Sequence, residues 1–406
     1  MSDIAPPPLE DGNPWTVRMT LLVMTHLVGT LNIVSVLAMA PVISDDLALT
    51  ATQFGFFVTA YYGGQAFWSM PAGGLVDRYG VGRALVMSHV VMVSGTLALV
   101  LATSYWVSLI GLFLMGVGYS MTNPATGRGV LAWFPPERRG TAMGIKQVGV
   151  PLGGVLAAGN GALAATVSWQ TLMAWTAVLI VLNGLCCLYL IRYHRPGLYS
   201  GGKTMHNLRE VFKIPRVQQF TLLSGFVNFG QTNFFAFLTL FLREVANASQ
   251  PIAGFAIGLA QASSAVARIG WGVVSDRWYQ GRRGVLMAWI CGAAAVLLAG
   301  MAFVQPGWGL WLGLGLAFLL GITVASFAPV AQAMMVEMVE PRLAGSAMGY
   351  NMTGVYIGAM IGPPVFGAVI DMSGTYDMAW IVTAVITGLG TLMLVAWFRG
   401  PQKAAE

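Results

Sequence analysis

The sequence predicts an all-α integral membrane protein with twelve transmembrane helices, arranged as two pseudosymmetric six-helix bundles. Composition, the length of the uncharged stretches and an internal repeat all predict this class. Of the 406 residues, 56% are hydrophobic and 9% are charged, whereas soluble domains carry about a quarter charged residues. No charged residue occurs between Arg83 and Arg128. That stretch accommodates two spans of about 20 residues, with an interfacial break at 104–106.

The same span length, applied along the chain, predicts six helices in each half. They lie near residues 16–38, 52–75, 83–103, 107–133, 141–164, 169–191, 218–242, 251–274, 283–303, 308–335, 345–370 and 377–398. The predicted units are an N-terminal tail (1–15), a bundle (16–191), a polar linker (192–217), a second bundle (218–398) and a C-terminal tail (399–406).

The positions of the basic residues predict the orientation. Apart from Arg243, the lysines and arginines of the predicted loops fall on one side, which the positive-inside rule assigns to the cytoplasm. We therefore expect a multi-pass protein of the cytoplasmic (inner) membrane with both termini inside. No basic region precedes the first hydrophobic stretch, so no cleaved signal peptide is expected. The basic loops account for the net charge of +6. Nucleic acid is therefore not expected as a partner.

Two internal matches predict that the second half repeats the first. Residues 133–154 (WFPPERRGTAMGIKQVGVPLGG) align without a gap on 338–359 (MVEPRLAGSAMGYNMTGVYIGA). Residues 73–83 (GGLVDRYGVGR) align on 272–283 (GVVSDRWYQGRR). The second match repeats a glycine and an Asp-Arg pair: Gly73, Asp77 and Arg78 in one copy, and Gly272, Asp276 and Arg277 in the other.

This repeated motif resembles the signature of the major facilitator superfamily, G-x(3)-D-(R/K)-x-G followed by basic residues, and the resemblance spans the whole chain. It implies a gating role for the six motif residues. The glycines would let helices approach closely. Asp77 and Asp276 would each face the first turn of a helix in the opposite half, the eleventh and the fifth, where the helix dipole favours an anion. Those contacts would hold the cytoplasmic side shut.

The predicted membrane interior contains cations without acids. Lys146 lies about 9 Å inside the boundary at Arg139, and Arg268 about 12 Å before Asp276, at 1.5 Å per residue. A charge at such depth costs about 2.5 to 3.5 kcal/mol, so it needs a cavity, a partner or a function. Since no Asp or Glu lies in the middle of a span, we expect a small anionic substrate to supply the negative charge.

Arg268, in the segment ARIGWGVVSDR, resembles the eighth-helix arginine of oxalate/formate exchangers and monocarboxylate transporters, which contacts the substrate carboxylate. The eleventh-helix lysine of those families is absent, because Val355 stands at its position; Lys146 on the fifth helix is the expected substitute. The segment GTAMGIKQVGVPLGG also resembles bacterial permeases of the cyanate and nitrate type.

Other polar and aromatic residues are candidates for substrate contact, although interhelical hydrogen bonding or core packing explains them equally well. They are Gln261, His26, Asn32, Asn123, Tyr119, Gln231 and Tyr61. Since His26 can titrate near neutrality, it is the one internal candidate for a coupling proton. Exchange against a counter-anion would need no such site.

Several alternatives are weaker. The segment GLYSGGKT (197–204) fits a phosphate-binding loop, but the short linker has no room for the required nucleotide domain. We therefore expect neither an enzyme nor a cofactor or metal. Efflux of amphipathic drugs is the runner-up, disfavoured by the cationic interior and by the spacing of Pro151 to Gly153-Gly154. A nontransporting sensor would need an output domain that the short tails do not provide. We expect a monomer surrounded by lipid.

Overall fold

The computed structural model describes residues 13–135, 138–193, 209–279, 282–307, 309–340 and 343–398, and regular structure within these ranges is helical. Residues 1–12, the linker segment 194–208 with its phosphate-loop match, and the predicted tail 399–406 lie outside the described residues. Eight helical segments of the described chain are long and apolar enough to cross a membrane. The predicted helical membrane class is therefore confirmed.

The N-terminal half follows the first six predicted spans. Its helices are α1 (Val17–Ala38), α2 (Ala40–Asp46), α3 (Ala51–Val100), α4 (Tyr105–Ser120), α5 (Thr122–Trp133), α6 (Arg139–Gln147), α7 (Gly149–Leu163) and α8 (Trp169–Cys187). A 3-10 turn, Leu188–Tyr193, extends α8. Helix α3 covers both the second and the third span. A kink at Gly80, whose φ is +81°, separates the two spans. Glycine adopts this conformation without a steric penalty.

The C-terminal half follows the other six spans. Its helices are α9 (Pro215–Glu244), α10 (Gln250–Trp278), α11 (Arg283–Gly300), α12 (Gly309–Ile322), α13 (Ala328–Glu337), α14 (Ala344–Ser373) and α15 (Tyr376–Phe398). A turn at 323–327 divides the tenth span. Pro329 then lies in the first turn of α13, where its missing N–H costs no helical hydrogen bond. Helix α14 runs through Pro363 and Pro364 without interruption.

In the described part of the chain, the buried apolar clusters join the two halves at one end. The largest buried cluster draws on both halves; the ring centroids of Phe54 and Phe237 are 6.0 Å apart, and those of Phe237 and Phe366 are 4.5 Å apart. A second cluster, around Phe220 and Met334, is confined to the C-terminal half. A third, around Trp133, is confined to the N-terminal half. We call the shared end the Asp371 end and the opposite one the Asp77 end.

Glycines allow the halves to touch at the Asp371 end. A Cβ added at Gly254 in α10 would lie 2.8 Å from the backbone nitrogen of Ala162, and one added at Gly55 in α3 would lie 2.7 Å from the nitrogen of Pro364. Polar contacts reinforce the closure. Both carboxylate oxygens of Asp371 accept backbone N–H bonds of the first turn of α3, from Ala51 at 3.1 Å and from Thr52 at 3.0 Å.

The Asp77 end is open between the halves. Among the described residues, a Cβ added at Gly73, Gly144, Gly272, Gly345 or Gly349 would meet nothing within 4 Å. The close approach expected at Gly73 and Gly272 is therefore absent from this conformation. With the predicted orientation, the open end faces the cytoplasm.

Candidate substrate site

Lys146 is buried where the fifth span changes from α6 to α7. It lies in the last turn of α6, and its side chain is 4% exposed. Its Nζ donates a hydrogen bond to the Thr126 hydroxyl of α5 at 3.0 Å. Among the described residues no carboxylate pairs with it. The ammonium charge is therefore enclosed with a neutral hydroxyl as its partner.

Thr126 connects Lys146 to His26. The His26 Nε2 lies 3.0 Å from the Thr126 Oγ1, and the Thr126 hydroxyl donates to the carbonyl oxygen of Thr122 at 2.7 Å. His26 is fully buried in α1. The sequence analysis did not single out Thr126, because a threonine within a helix carries no periodic signal. Its role depends on three helices meeting at this point.

Arg268 reaches the site from α10 in the other half. Its Nε donates to the Ser264 hydroxyl at 3.3 Å, and its Nη2 donates to the carbonyl oxygen of Ala325 at 3.1 Å. Ala325 lies in the turn between α12 and α13. Its backbone carbonyl has no partner within a helix and can therefore accept a hydrogen bond. Arg268 is partly buried, and no ion pair to it occurs in the described part of the chain.

Tyr119 lies beside His26, which shares Thr126 with Lys146. Its ring centroid is 6.5 Å from that of His26 and 6.4 Å from that of Tyr61. It is also close enough to Arg268 for an electrostatic interaction. Tyr356 of α14, which the sequence analysis did not select, interacts with the same aromatic group. Lys146, His26, Tyr119 and Tyr61 therefore form one group within the N-terminal half, and Arg268 of the other half approaches this group at Tyr119.

Two glutamines and one asparagine lie beside this group. The Gln261 side chain of α10 lies over Gly154 of α7, because a Cβ added at Gly154 would be 2.5 Å from its Cδ. Gln231 donates to the carbonyl oxygen of Val324 at 3.0 Å. Val324 belongs to the same turn as Ala325, which accepts a hydrogen bond from Arg268. Asn123 lies 3.5 Å from the Nε2 of Gln147, the neighbour of Lys146.

Asn32 is positioned differently from the other candidates. It is 1% exposed, and its Oδ1 accepts a hydrogen bond from Thr96 at 3.1 Å. Since Thr96 lies in the second part of α3, this bond joins two helices of the same half. The structure does not bring Asn32 to Lys146, and interhelical bonding accounts for its burial.

The gating motifs make contacts within their own halves in this conformation. Asp77 forms an ion pair with Arg128 of α5. Asp276 pairs with Arg283 at 3.0 Å, and Arg283 also reaches Glu337 at 3.1 Å. Among the residues that the structure describes, the expected contacts with the first turns of the fifth and eleventh helices are not made, because the halves are apart at this end. Arg128 is therefore an ion-pair partner of the motif aspartate in this conformation.

The basic members of the motifs lie at the same open end. The guanidinium of Arg78 lies 5.2 Å from the ring centroid of Tyr79. Arg277 is exposed in the last turn of α10. Both positions suit a positively charged membrane boundary.

A helical membrane fold whose two halves pack against each other is the architecture of a membrane transporter. The family model of the Major Facilitator Superfamily matches residues 21–314 and 220–406, and the chain belongs to this superfamily. It is a multi-pass membrane protein that moves a small-molecule substrate, and not an enzyme.

Known relatives extend over most of the chain. It is 26% identical to the hexuronate transporter of Bacillus subtilis, with 94% of this chain and 95% of the relative covered. It is 22% identical to the probable sulfoacetate transporter SauU of Cupriavidus necator, with 92% and 91% covered. It is 28% identical to the multidrug resistance protein MdtG of Enterobacter lignolyticus, with 79% and 75% covered.

Solved structures support the same fold. A bacterial homolog of the human lysosomal transporter Spinster, in an inward-facing and occupied conformation, matches with a TM-score of 0.74 at 18% identity, and 95% of this chain and 97% of that chain are covered. The resemblance to anion permeases, predicted from the sequence, is confirmed by the hexuronate and sulfoacetate relatives.

Proposed function

We propose that this protein is a secondary active transporter of a small organic anion, which Lys146 and Arg268 bind from opposite halves. The observation that carries the proposal is that Lys146 of one half and Arg268 of the other each lack a carboxylate partner among the described residues. In alternating access the site opens first to one side and then to the other as the halves rock. A ligand held by one cation from each half can follow that motion.

Electrostatics favours an anion over a neutral ligand. Each buried charge costs about 2.5 to 3.5 kcal/mol in a span, and the bonds to Thr126, Ser264 and Ala325 involve neutral acceptors. A carboxylate or sulfonate would add charge-assisted hydrogen bonds, which are roughly twice as strong as neutral ones. Arginine in particular suits a planar carboxylate, because its guanidinium can donate two parallel bonds.

The relatives support an organic anion. Hexuronate carries a carboxylate, and sulfoacetate carries both a carboxylate and a sulfonate, and both names belong to relatives that cover more than nine-tenths of this chain. The inorganic anions cyanate and nitrate, which the sequence resemblance suggests, are smaller candidates outside this proposed class. The MdtG relative supports the alternative of drug efflux, which the cationic site disfavours because most such drugs are hydrophobic cations.

Thermal stability of the purified protein tests the substrate class. A ligand that binds the folded protein stabilises it by mass action, by about 2.7 kcal/mol at 100 times the Kd. We expect glucuronate or sulfoacetate to raise the Tm, and Lys146→Gln or Arg268→Gln to abolish this rise. Arg243→Gln is the matched control, because Arg243 is a partly buried arginine at the distant end of α9. Stabilisation by hydrophobic cations alone would establish efflux instead.

The remaining parts of the proposal concern location and assembly. We propose that the protein resides as a monomer in the cytoplasmic membrane, surrounded by lipid, with both termini inside. The basic residues near Arg78, Arg139 and Arg277 support this orientation. A reporter enzyme fused to the C-terminus that is active only in the cytoplasm should be active. Activity of a periplasm-specific reporter at the same position would reverse the orientation.

A further inference from the structure

The N-terminal half buries two histidines whose hydrogen bonding differs. The Nδ1 of His89 lies 2.6 Å from the carbonyl oxygen of Leu85, and its Nε2 lies 2.8 Å from the Nδ2 of Asn183. The first contact requires a proton on Nδ1, and the second requires a lone pair on Nε2. Both ring nitrogens of His89 are therefore satisfied in the neutral form, and a structural role explains this residue.

His26 has one nitrogen without a partner. Its side chain is 0% exposed, its Nε2 lies 3.0 Å from the Thr126 hydroxyl, and its Nδ1 has no hydrogen-bond partner in the described structure. Buried polar atoms are nearly always hydrogen-bonded. The unpaired Nδ1 distinguishes His26 from His89, whose two ring nitrogens both have partners.

The contacts of Thr126 determine which nitrogen of His26 carries the proton. A hydroxyl has one proton and two lone pairs, and the shortest bond of Thr126 is its donation to Thr122 at 2.7 Å. Thr126 then accepts from Lys146 and from His26, each at 3.0 Å. This arrangement requires a proton on the Nε2 of His26. The Nδ1 is left with a lone pair that can take up another proton.

The charged groups around His26 make that protonation depend on an anion. Helix α6 presents Lys146, α4 presents Tyr119, and α10 presents Arg268 beyond Tyr119. Helix α7 presents Gly149, which has no ionisable group. On the side of α3 and α8, Thr25 lies between His26 and the hydrogen-bonded pair of Asn183 and neutral His89.

Protonation would add a third positive charge to this group, which no acid of the described chain compensates. A bound anion next to Lys146 and Arg268 would remove most of that repulsion. We propose that the Nδ1 of His26 is a proton-binding site that fills together with the anion, so that the protein carries one proton with each monoanion. This proposal rests on the anion site described above. The proton adds to the Nδ1 lone pair from water on the side of uptake and leaves to water on the other side, and no other bond forms or breaks.

Proton uptake on anion binding tests the proposal in the purified full-length protein. Glucuronate is the probe, because it remains ionised near neutral pH and any proton taken up then belongs to the protein. In a weakly buffered solution with a pH-sensitive dye, we expect about one proton per glucuronate bound. By the same linkage, the Kd should fall about tenfold for each unit by which the pH decreases, as long as the free site is unprotonated.

Two variants separate His26 from the rest of the protein. In His26→Gln the amide nitrogen can still donate to Thr126, but no lone pair replaces Nδ1. We expect glucuronate binding without proton uptake and with a Kd that is independent of pH. His89→Gln is the matched control and should keep the proton uptake and the pH dependence of the wild type.

The outcomes distinguish the two proposals. Glucuronate binding to the wild type without proton uptake would overturn the proton site while leaving the anion site intact, and this measurement needs no variant to fold. Undiminished uptake in His26→Gln would also overturn it. No stabilisation or binding by glucuronate or sulfoacetate would refute the anion site, and the proton site with it.

Discussion

The contact between Asp371 and the first turn of α3 should hold the present conformation, and Asp371→Asn should weaken it. The carboxylate accepts two backbone N–H bonds from the other half, at the positive end of the α3 dipole. A hydrogen bond to a charged group contributes about 1.5 to 3 kcal/mol. Asp371 is exposed, so screening reduces the sum for both bonds to about 1 to 2 kcal/mol.

This free energy converts directly into a population. A change of 1 to 2 kcal/mol shifts a two-state ratio by about 5- to 30-fold. The shift should favour the state that is open at the Asp371 end, because the contact exists only while that end is closed. Spin labels at Leu101 and Phe303 report it, since both residues are exposed at this end, in opposite halves. Double electron–electron resonance should show a larger long-distance fraction in Asp371→Asn.

Asp46→Asn is the matched control for this experiment. Asp46 also lies at the Asp371 end, but it accepts bonds from Trp169 at 2.8 Å and Gln170 at 2.9 Å, both in its own half. Loss of the Asp46 carboxylate should lower the free energy of unfolding without changing the spin-label distances between the halves. An unchanged distribution in Asp371→Asn, or an equal change in Asp46→Asn, would refute the assignment of Asp371 to the closure.

Three further predictions concern other contacts. Gly367→Ala should also open the Asp371 end, because its Cβ would lie 2.5 Å from the backbone nitrogen of Thr52; unchanged spin-label distances would contradict this. Gly73→Ala should leave the present conformation intact, since its Cβ meets nothing, but should slow transport if the Asp77 end closes on it; wild-type transport rates would exclude a close approach. Asp77→Asn and Arg128→Gln should each lower the free energy of unfolding by up to about 1 kcal/mol, and a double-mutant cycle should show that their effects are not additive.

The helices could be predicted because the membrane constrains composition over long stretches. Every predicted span coincides with helical structure, and the repeat located the equivalent helices of the two halves. The breaks at Met121 and Val148 were harder to predict, since a helix can end and restart within one apolar stretch. Pro124 and Pro151, each in the first turn after a break, were the available signals.

The charged members of the candidate site were the most readily predicted. Lys146 and Arg268 stand out because charge in a span is expensive, whereas Thr126 and Tyr356 are ordinary residues of membrane helices. Their importance arises from where the helices meet. The partner of Asp77 was predicted from the closed arrangement of the family. One sequence encodes both arrangements, so it does not specify which contacts a given conformation makes.

In the proposed mechanism, Lys146 and Arg268, which pair with no acid of the described chain, also determine how the protein responds to voltage. A field of 100 mV across the membrane contributes about 2.3 kcal/mol for each elementary charge that crosses it. When the cavity closes on one side of the membrane and opens on the other, the voltage drop shifts from one side of Lys146 and Arg268 to the other. The empty carrier therefore moves about two positive charges through the electric field. A monoanion alone lowers this to one. A monoanion with one proton restores it to two, so that the loaded and empty carriers respond to the membrane potential equally and the complete cycle moves no net charge.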